Sequence, residues 1–209
     1  MTNFIPVFPL GIVVYPNELV NLHIFEPRYK QLIADCVNEQ KAFGMATVIN
    51  GQLQDFGYTV RVTKITKTYD NGEMDLTIQG HDVIKILDFV NEIPNKMYGG
   101  AIVNYPENSF SCTDGIFILH KVKIKLAEVF AKLKIQKKHL FSNGNFLSYY
   151  YAHYIGLTLK QEYEVLTILT EAQRLDFIVY FLQEMVNNSY MLKNVQDKVK
   201  LNGHFRLNK

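Results

Sequence analysis

The sequence predicts an α+β protein, a small β-barrel followed by a helical bundle, and three observations carry that prediction. Up to residue 105 the apolar residues recur mostly as short runs cut by turn formers, with one helical stretch among them. Beyond residue 112 the apolar period becomes 3.6 and stays there. Between these halves, Tyr105-Pro106-Glu107-Asn108-Ser109 through Thr113-Asp114-Gly115 is rich in turn residues. The expected domains are therefore a barrel over 1–108 and a helical subdomain with its tail over 112–209.

Taken in order, Ile12-Val13-Val14 and Leu19 to Ile24 are apolar runs separated by a turn at Pro16-Asn17. Pro27 suits the first turn of a helix, where a missing N–H does no harm. Tyr29, Leu32, Ile33, Cys36 and Val37 then fall on one helical face. Strands are expected over Met45–Ile49, Tyr58–Tyr69, Met74–Gln79, Val83–Val90 and Ala101–Tyr105. Asn50-Gly51 and Asp70-Asn71-Gly72 are hairpin signals, because Asn and Gly accept the positive φ such turns require. One helix within a meander of strands suggests a small, partly closed barrel.

In the second half Leu119, Val122, Leu126, Ala127, Val129, Phe130 and Leu133 form one stripe. Asn145–Ile155 make a short helix stopped by Gly156. Thr158-x-x-Gln161 and Thr170-x-x-Gln173 are two capping boxes, each opening an apolar helix. Four helices pack most simply as a bundle. The chain from Ser189 has weak periodicity and a polar end, so a frayed tail is expected there.

With 209 residues, 48% of them hydrophobic, the chain can bury a sizeable core. The net charge of +2 selects no partner class, but its distribution is uneven. Residues 1–110 carry eight Lys/Arg against twelve Asp/Glu, and 111–209 carry fourteen against eight. Cys36 and Cys112 are too few for a disulfide framework or a zinc site and are expected to be reduced thiols. The opening Phe4–Tyr15 is apolar but has no basic leader and is broken by prolines, so neither a signal peptide nor a membrane span is expected. A cytoplasmic location follows as the expectation.

No catalytic constellation emerges. His23, Glu26 and Arg28 lie close together and could do acid–base work. Glu26 could equally cap the helix that starts at Pro27, with Arg28 pairing as the chain turns, and the structural role is the expected one. His81, His120, His139, His153 and His204 show no metal spacing. No serine among 109, 111, 142, 148 and 189 sits in a G-x-S-x-G elbow, and no Gly-Lys dipeptide exists for a phosphate loop. Gly99-Gly100 opens a strand, not a helix terminus that could hold phosphate. No cofactor or metal site is expected.

The segment 120–138 holds seven lysines (121, 123, 125, 132, 134, 137 and 138) against Glu128 alone. They spread around everything but the apolar stripe, which describes a solvated helix better than a nucleic-acid site. Tyr149, Tyr150, Tyr151 and Tyr154 surround a short helix and are expected mainly in packing.

The run Leu22-His23-Ile24-Phe25-Glu26-Pro27-Arg28-Tyr29, preceded by Phe8-Pro9-Leu10 and Pro16, resembles the signature of the Lon protease amino-terminal, substrate-binding domain family. The stretch from Phe43-Gly44 to Gly80 is similar to that family's β-barrel, and Leu159–Leu182, with Gln161, Leu166, Arg174 and Leu175, to its helical part. Two positions depart from the family pattern. Asn21 stands where proline is usual, and His81-Asp82 where an arginine-containing turn is common. The resemblance implies a PUA-like β-barrel, a helical bundle, and a free-standing member without the ATPase and Ser–Lys peptidase domains. It further implies a non-enzymatic binder of unfolded or partner polypeptides, linked to protein quality control, with no cofactor. The family signature residues His23, Phe25, Glu26, Pro27, Arg28 and Tyr29 would then be structural. The alternative is RNA binding by the PUA-like barrel, against which the acidic first half argues. The oligomeric state and the identity of the partner stay open.

Overall fold

Two prolines do not keep the amino terminus out of the sheet. In the computed structural model, which describes residues 2–109, 115–133 and 147–188, Thr2–Leu10 form strand β1. β1 runs antiparallel to β6 (Gly100–Asn104) over Thr2–Pro6, then parallel to β3 (Phe43–Ile49) over Val7–Leu10. Val7 donates its N–H to the Gly99 carbonyl at 3.0 Å, on the β6 side. By alternation the Pro9 nitrogen points the same way, past the last paired residue of β6, while that of Pro6 points toward β3 before its pairing begins. Neither ring therefore removes a ladder bond. The expected strand at Ile12–Val14 is instead irregular, although Val13 and Val14 are buried. Its Ile12 carbonyl is satisfied by side chains, the Tyr58 hydroxyl at 3.0 Å and the Thr47 hydroxyl at 3.4 Å.

The other strands are β2 (Leu19–Ile24), β4 (Gln52–Thr68) and β5 (Met74–Val90). Sheet order β2-β5-β4-β3-β1-β6 with a further β5–β6 pairing closes a ring of β1, β3, β4, β5 and β6, with β2 added outside it on β5. The ring encloses Val7, Ala46, Ile84, Ala101 and Val103. Asn50 and Gly51, with φ of 52° and 77°, make the tight β3–β4 turn. Met74–Gln79 and Val83–Val90, expected as two strands, are one strand of 17 residues that passes through Gly80-His81-Asp82. Asn21 does not weaken β2, since Leu19 to Ile24 all pair with β5 and its side-chain oxygen accepts from the Thr77 hydroxyl at 2.8 Å. Helix α1 (Pro27–Asn38) buries Tyr29, Leu32, Ile33 and Cys36.

The chain divides into two compact units at Pro106/Glu107. The second unit contains α2 (Gly115–Leu133), α3 (Leu147–Tyr154), α4 (Leu159–Thr167) and α5 (Glu171–Asn187) among the described residues. The chain is thus α+β, as its sequence pattern predicts. On α2, Val122, Leu126 and Val129 are buried and Ala127 is exposed, while the side chains of Phe130 and Leu133 lie outside the described ones. Lys125 pairs with Glu128 at 2.9 Å, and Lys132 donates to the Val186 carbonyl at 2.8 Å. Tyr149 and Tyr151 are buried. The Thr158 capping box is complete, each partner bonding the other's backbone N–H. At Thr170 only a hydroxyl-to-Gln173 side-chain bond of 2.8 Å forms, and no backbone N–H is capped. Cys112, His139, His204, Ser111, Ser142, Lys134, Lys137, Lys138, the start of the expected helix at Asn145 and the expected tail from Ser189 lie outside the described residues.

The helical unit contains a buried ion pair that its sequence does not announce. Arg174 is fully buried and its guanidinium bonds the Glu171 carboxylate at 2.9 Å, the Ser148 hydroxyl at 2.9 Å, the Asn108 side-chain oxygen at 2.7 Å and the Ile168 carbonyl at 2.7 Å. It also lies 4.3 Å from the centre of the Tyr149 ring. Glu171 accepts further bonds from the Ser148 N–H and hydroxyl. Residues 107–109, part of the expected linker, are thereby held to α3 and α5; the Ser109 N–H donates to the Leu169 carbonyl at 2.8 Å.

Candidate functional site

Strand lengths create the first element of the site. β3 has seven residues and β4 has 17, so β3 covers β4 only from Gln52 to Val60. From Arg61 to Thr68 β4 continues beyond the barrel, paired on one side with Met74–Gln79 of β5, which in turn carries β2. Among the described residues no strand covers the opposite side of Arg61–Thr68. The result is a three-stranded arm with one open edge on β4.

The register assigns faces. Val62 pairs with Ile78 and Ile65 with Leu76, and both partners are buried, so Val62 and Ile65 belong to the inner face. Arg61, Lys64 and Lys67 pair with Gln79, Thr77 and Asp75 on the outer face. Register shifts lie between Val62 and Lys64 and between Ile65 and Lys67. At each, a threonine hydroxyl fills in, Thr63 donating to the Thr77 carbonyl and Thr66 to the Asp75 carbonyl, both at 3.0 Å.

The end of α1 supplies a facing wall. An open groove of about 390 Å³ runs between Cys36, Val37, Gln40 and Lys41 on one side and Arg61 to Ile65 on the other. Val37 and Ile65 are among the exposed large hydrophobics. Among the described residues three cations line the groove and no carboxylate does. Lys41 is occupied by Glu39 at 2.6 Å, and Arg61 donates to the Gln40 carbonyl at 3.0 Å. Lys64 makes no ion pair among the described residues. The Cys36 thiol is pushed up to about 11 by burial, then by Asp35 and Glu39, so it lines the groove as an inert protonated group.

α1 itself is fixed at both ends. Lys30 donates to the Asn71 carbonyl at 3.0 Å near the β4–β5 turn. Asp35 accepts from Lys96 and from the Tyr98 hydroxyl, both at 2.7 Å, in the loop before β6. Those two hydrogen bonds, Lys96 first, hold the Asp35 carboxyl below the usual range. The groove wall is therefore anchored by polar contacts as well as by packing.

The six signature residues fall into two groups. Tyr29 is buried and stacks on Phe8 at 3.8 Å, with the Arg28 guanidinium 4.6 Å from its ring centre. Pro27 opens α1, as its position predicts. Glu26 stands at the helix N-cap but caps nothing with its side chain. Its carboxylate instead accepts from Arg28 at 2.8 and 2.9 Å, an exposed pair of the kind that contributes little stability. His23 is on the outer face of the arm, bonded through Nδ1 to Asp75 at 2.7 Å and with Nε2 3.4 Å from Glu73. Asp75 also accepts from the Tyr69 hydroxyl at 2.7 Å, and these bonds, His23 first, lower its pKa. Phe25 is 57% exposed, its ring 6.1 Å from that of His23. The groove escaped sequence reasoning altogether; its one signal was the mismatch between a short and a long neighbouring strand run.

No group of three or more His, Cys, Asp or Glu able to hold a metal ion stands among the described residues, and no described helix is long and apolar enough to cross a membrane. Residues 5–184 match the family model of the ATP-dependent protease La (LON) substrate-binding domain. The fold is similar to a Lon N-terminal domain protein from Xanthomonas campestris, with TM-score 0.65, 18% identity, 85% of this chain and 98% of that one covered. It is similar also to the N-terminal domain of Mycobacterium avium complex Lon protease, with TM-score 0.67, 14% identity, and 87% and 99% covered. Comparison with curated proteins finds no match.

Proposed function

Because the chain belongs to the ATP-dependent protease La (LON) substrate-binding domain family, we propose that it is a non-catalytic module that holds unfolded or partner polypeptides and serves protein quality control. The observation that carries this reading is the groove between α1 and Arg61–Ile65, where exposed apolar side chains lie beside an unpaired strand edge. Both features suit polypeptide. Apolar contacts tolerate many sequences, and backbone N–H and C=O groups recognise any extended chain. The chemistry around the site supports binding rather than catalysis: its thiol is inert, and the nearby carboxylates of Asp35 and Glu39 are engaged in structural bonds. In this reading His23, Phe25, Glu26, Pro27, Arg28 and Tyr29 shape the corner from which α1 departs, and neither bind a cofactor nor react.

The test is fluorescence anisotropy of a labelled, permanently unfolded polypeptide titrated with the protein, with a labelled tRNA in parallel. Micromolar binding of the polypeptide, weakened by salt far less steeply than phosphate-backbone binding, is the expected result, with added ATP making no difference. Salt-sensitive binding of the tRNA alone would replace this reading with RNA binding. Turnover of casein or ATP that survives in an independent preparation would overturn the non-catalytic assignment.

A further inference from the structure

We infer that the open edge of β4 captures its polypeptide by strand addition and selects segments in which acidic and apolar residues alternate. The inference rests on the polypeptide-binding reading above and specifies how the chain is held. Arg61 to Ile65 border the groove and are unpaired on the groove side, so their outward N–H and C=O groups form a template for an extended segment. Five residues of strand span roughly 17 Å, enough to fix the register of a bound segment.

The two faces of the arm dictate what such a segment must contain. Successive side chains of an added strand point to opposite faces. Those on the inner side meet Val37, Val62 and Ile65. Those on the outer side meet Arg61, Lys64 and Lys67, which fall on one face at neighbouring register positions. None of the three makes an ion pair among the described residues, but Lys67 lies 4.1 Å over the Tyr69 ring and Arg61 holds the Gln40 carbonyl, which leaves Lys64 as the cation with no side-chain partner of any kind among them. A carboxylate opposite Lys64 completes the face. The barrel half of the chain is acidic as a whole, so this basic edge is a local feature and not a reflection of overall charge.

Charge also decides against the other occupants. A second copy docked edge to edge would place Arg61, Lys64 and Lys67 against the same three cations. Residues 189–209 of the chain itself carry five Lys/Arg against one Asp, the wrong sign for this edge. Lysines and bulges are general devices that stop edges from pairing with their own kind. Here they leave the edge open to a partner that neutralises them.

The experiment titrates the full chain into labelled nine-residue peptides: one alternating Val and Glu, one alternating Val and Lys, and two Val/Glu versions N-methylated on one or the other alternate set of amides. The Val/Glu peptide should bind about ten-fold more tightly than the Val/Lys peptide, from several rim charges acting together. Methylation of one amide set should weaken binding about ten-fold through lost backbone hydrogen bonds, and methylation of the other should not. K64E, at a site with no partner among the described residues, should weaken the Val/Glu peptide about five-fold and favour the Val/Lys peptide. Equal binding of both charge types, equal tolerance of both methylated sets, or indifference to K64E would overturn the inference. So would concentration-dependent dimerisation that K64E alters, which would assign the edge to a second copy. The unfolded polypeptide of the previous section is titrated alongside. If it binds while the peptides show none of these differences, strand addition falls and polypeptide binding stands; if neither binds, both fall.

Discussion

Arg174→Met is expected to destabilise the helical unit by about 3–5 kcal/mol, the usual cost of breaking a buried ion pair from one side. The arginine makes hydrogen bonds to α3, α5, the Ile168 carbonyl and Asn108, and none of its surface reaches solvent. Methionine fills much of the volume but supplies no donor. Glu171, itself buried, would then hold a carboxylate with only Ser148 for company. The loss therefore comes mainly from an uncompensated charge and not from a cavity, and a second substitution exposes the difference. Arg174→Met with Glu171→Leu should recover at least half of the loss, because an apolar pair needs no partners. Urea unfolding followed by far-UV circular dichroism measures both. A midpoint for Arg174→Met within experimental error of the parent would show that the network contributes nothing.

Gly80→Ala should cost ~3 kcal/mol, from crowding alone. A Cβ at Gly80 would stand 2.3 Å from the Tyr15 carbonyl oxygen and 3.0 Å from a Val14 methyl carbon. A Cβ is fixed by its own backbone and here meets a backbone oxygen, so no rotamer can relieve the contact. Nor can the chain move apart freely, since the Asn17 N–H donates to the Gly80 carbonyl at 2.8 Å and the Gly80 N–H to the Glu18 carbonyl at 2.9 Å. These bonds hold the Tyr15–Glu18 turn against β5. Gly51→Ala provides the contrast. Nothing lies within 4 Å of its Cβ position, but its φ of +77° is left-handed, so the expected loss is only ~1 kcal/mol and comes from strain. Equal losses for the two variants would show that the close approach at Gly80 is relieved in solution.

The elements that sequence spacing makes legible are those fixed by local chemistry. Pro27 with the i, i+3, i+4 spacing from Tyr29 marks α1, Asn50-Gly51 marks a hairpin, and Thr158 with Gln161 marks a helix start. Features that depend on distant partners were not legible. Pro6 and Pro9 sit in a strand because β6 ends where β3 begins to pair, which no window around them reveals. Ile12–Val14 has the composition of a strand, yet its Ile12 carbonyl is taken by Tyr58 and Thr47. Glu26 has the position of a cap, but Arg28 two residues on offers two charged donors and wins its carboxylate. Arg174 was visible only as a family-like residue; its burial follows from Asn108 and Ser148 converging from separate segments on the i, i+3 pair it makes with Glu171. The groove is hidden for the same reason, being made by an eight-residue overhang of β4 beyond β3 and by the end of a helix more than twenty residues away.

The most direct test of polypeptide capture on the β4 edge is amide hydrogen exchange, resolved along the chain, with and without a saturating unfolded polypeptide. Slowed exchange is expected at amides within Arg61–Thr68 and at the end of α1 facing them, with the outer edge of β2 and the helical unit unchanged. Slowing that falls on other surfaces while Arg61–Thr68 exchanges as before would contradict capture on this edge.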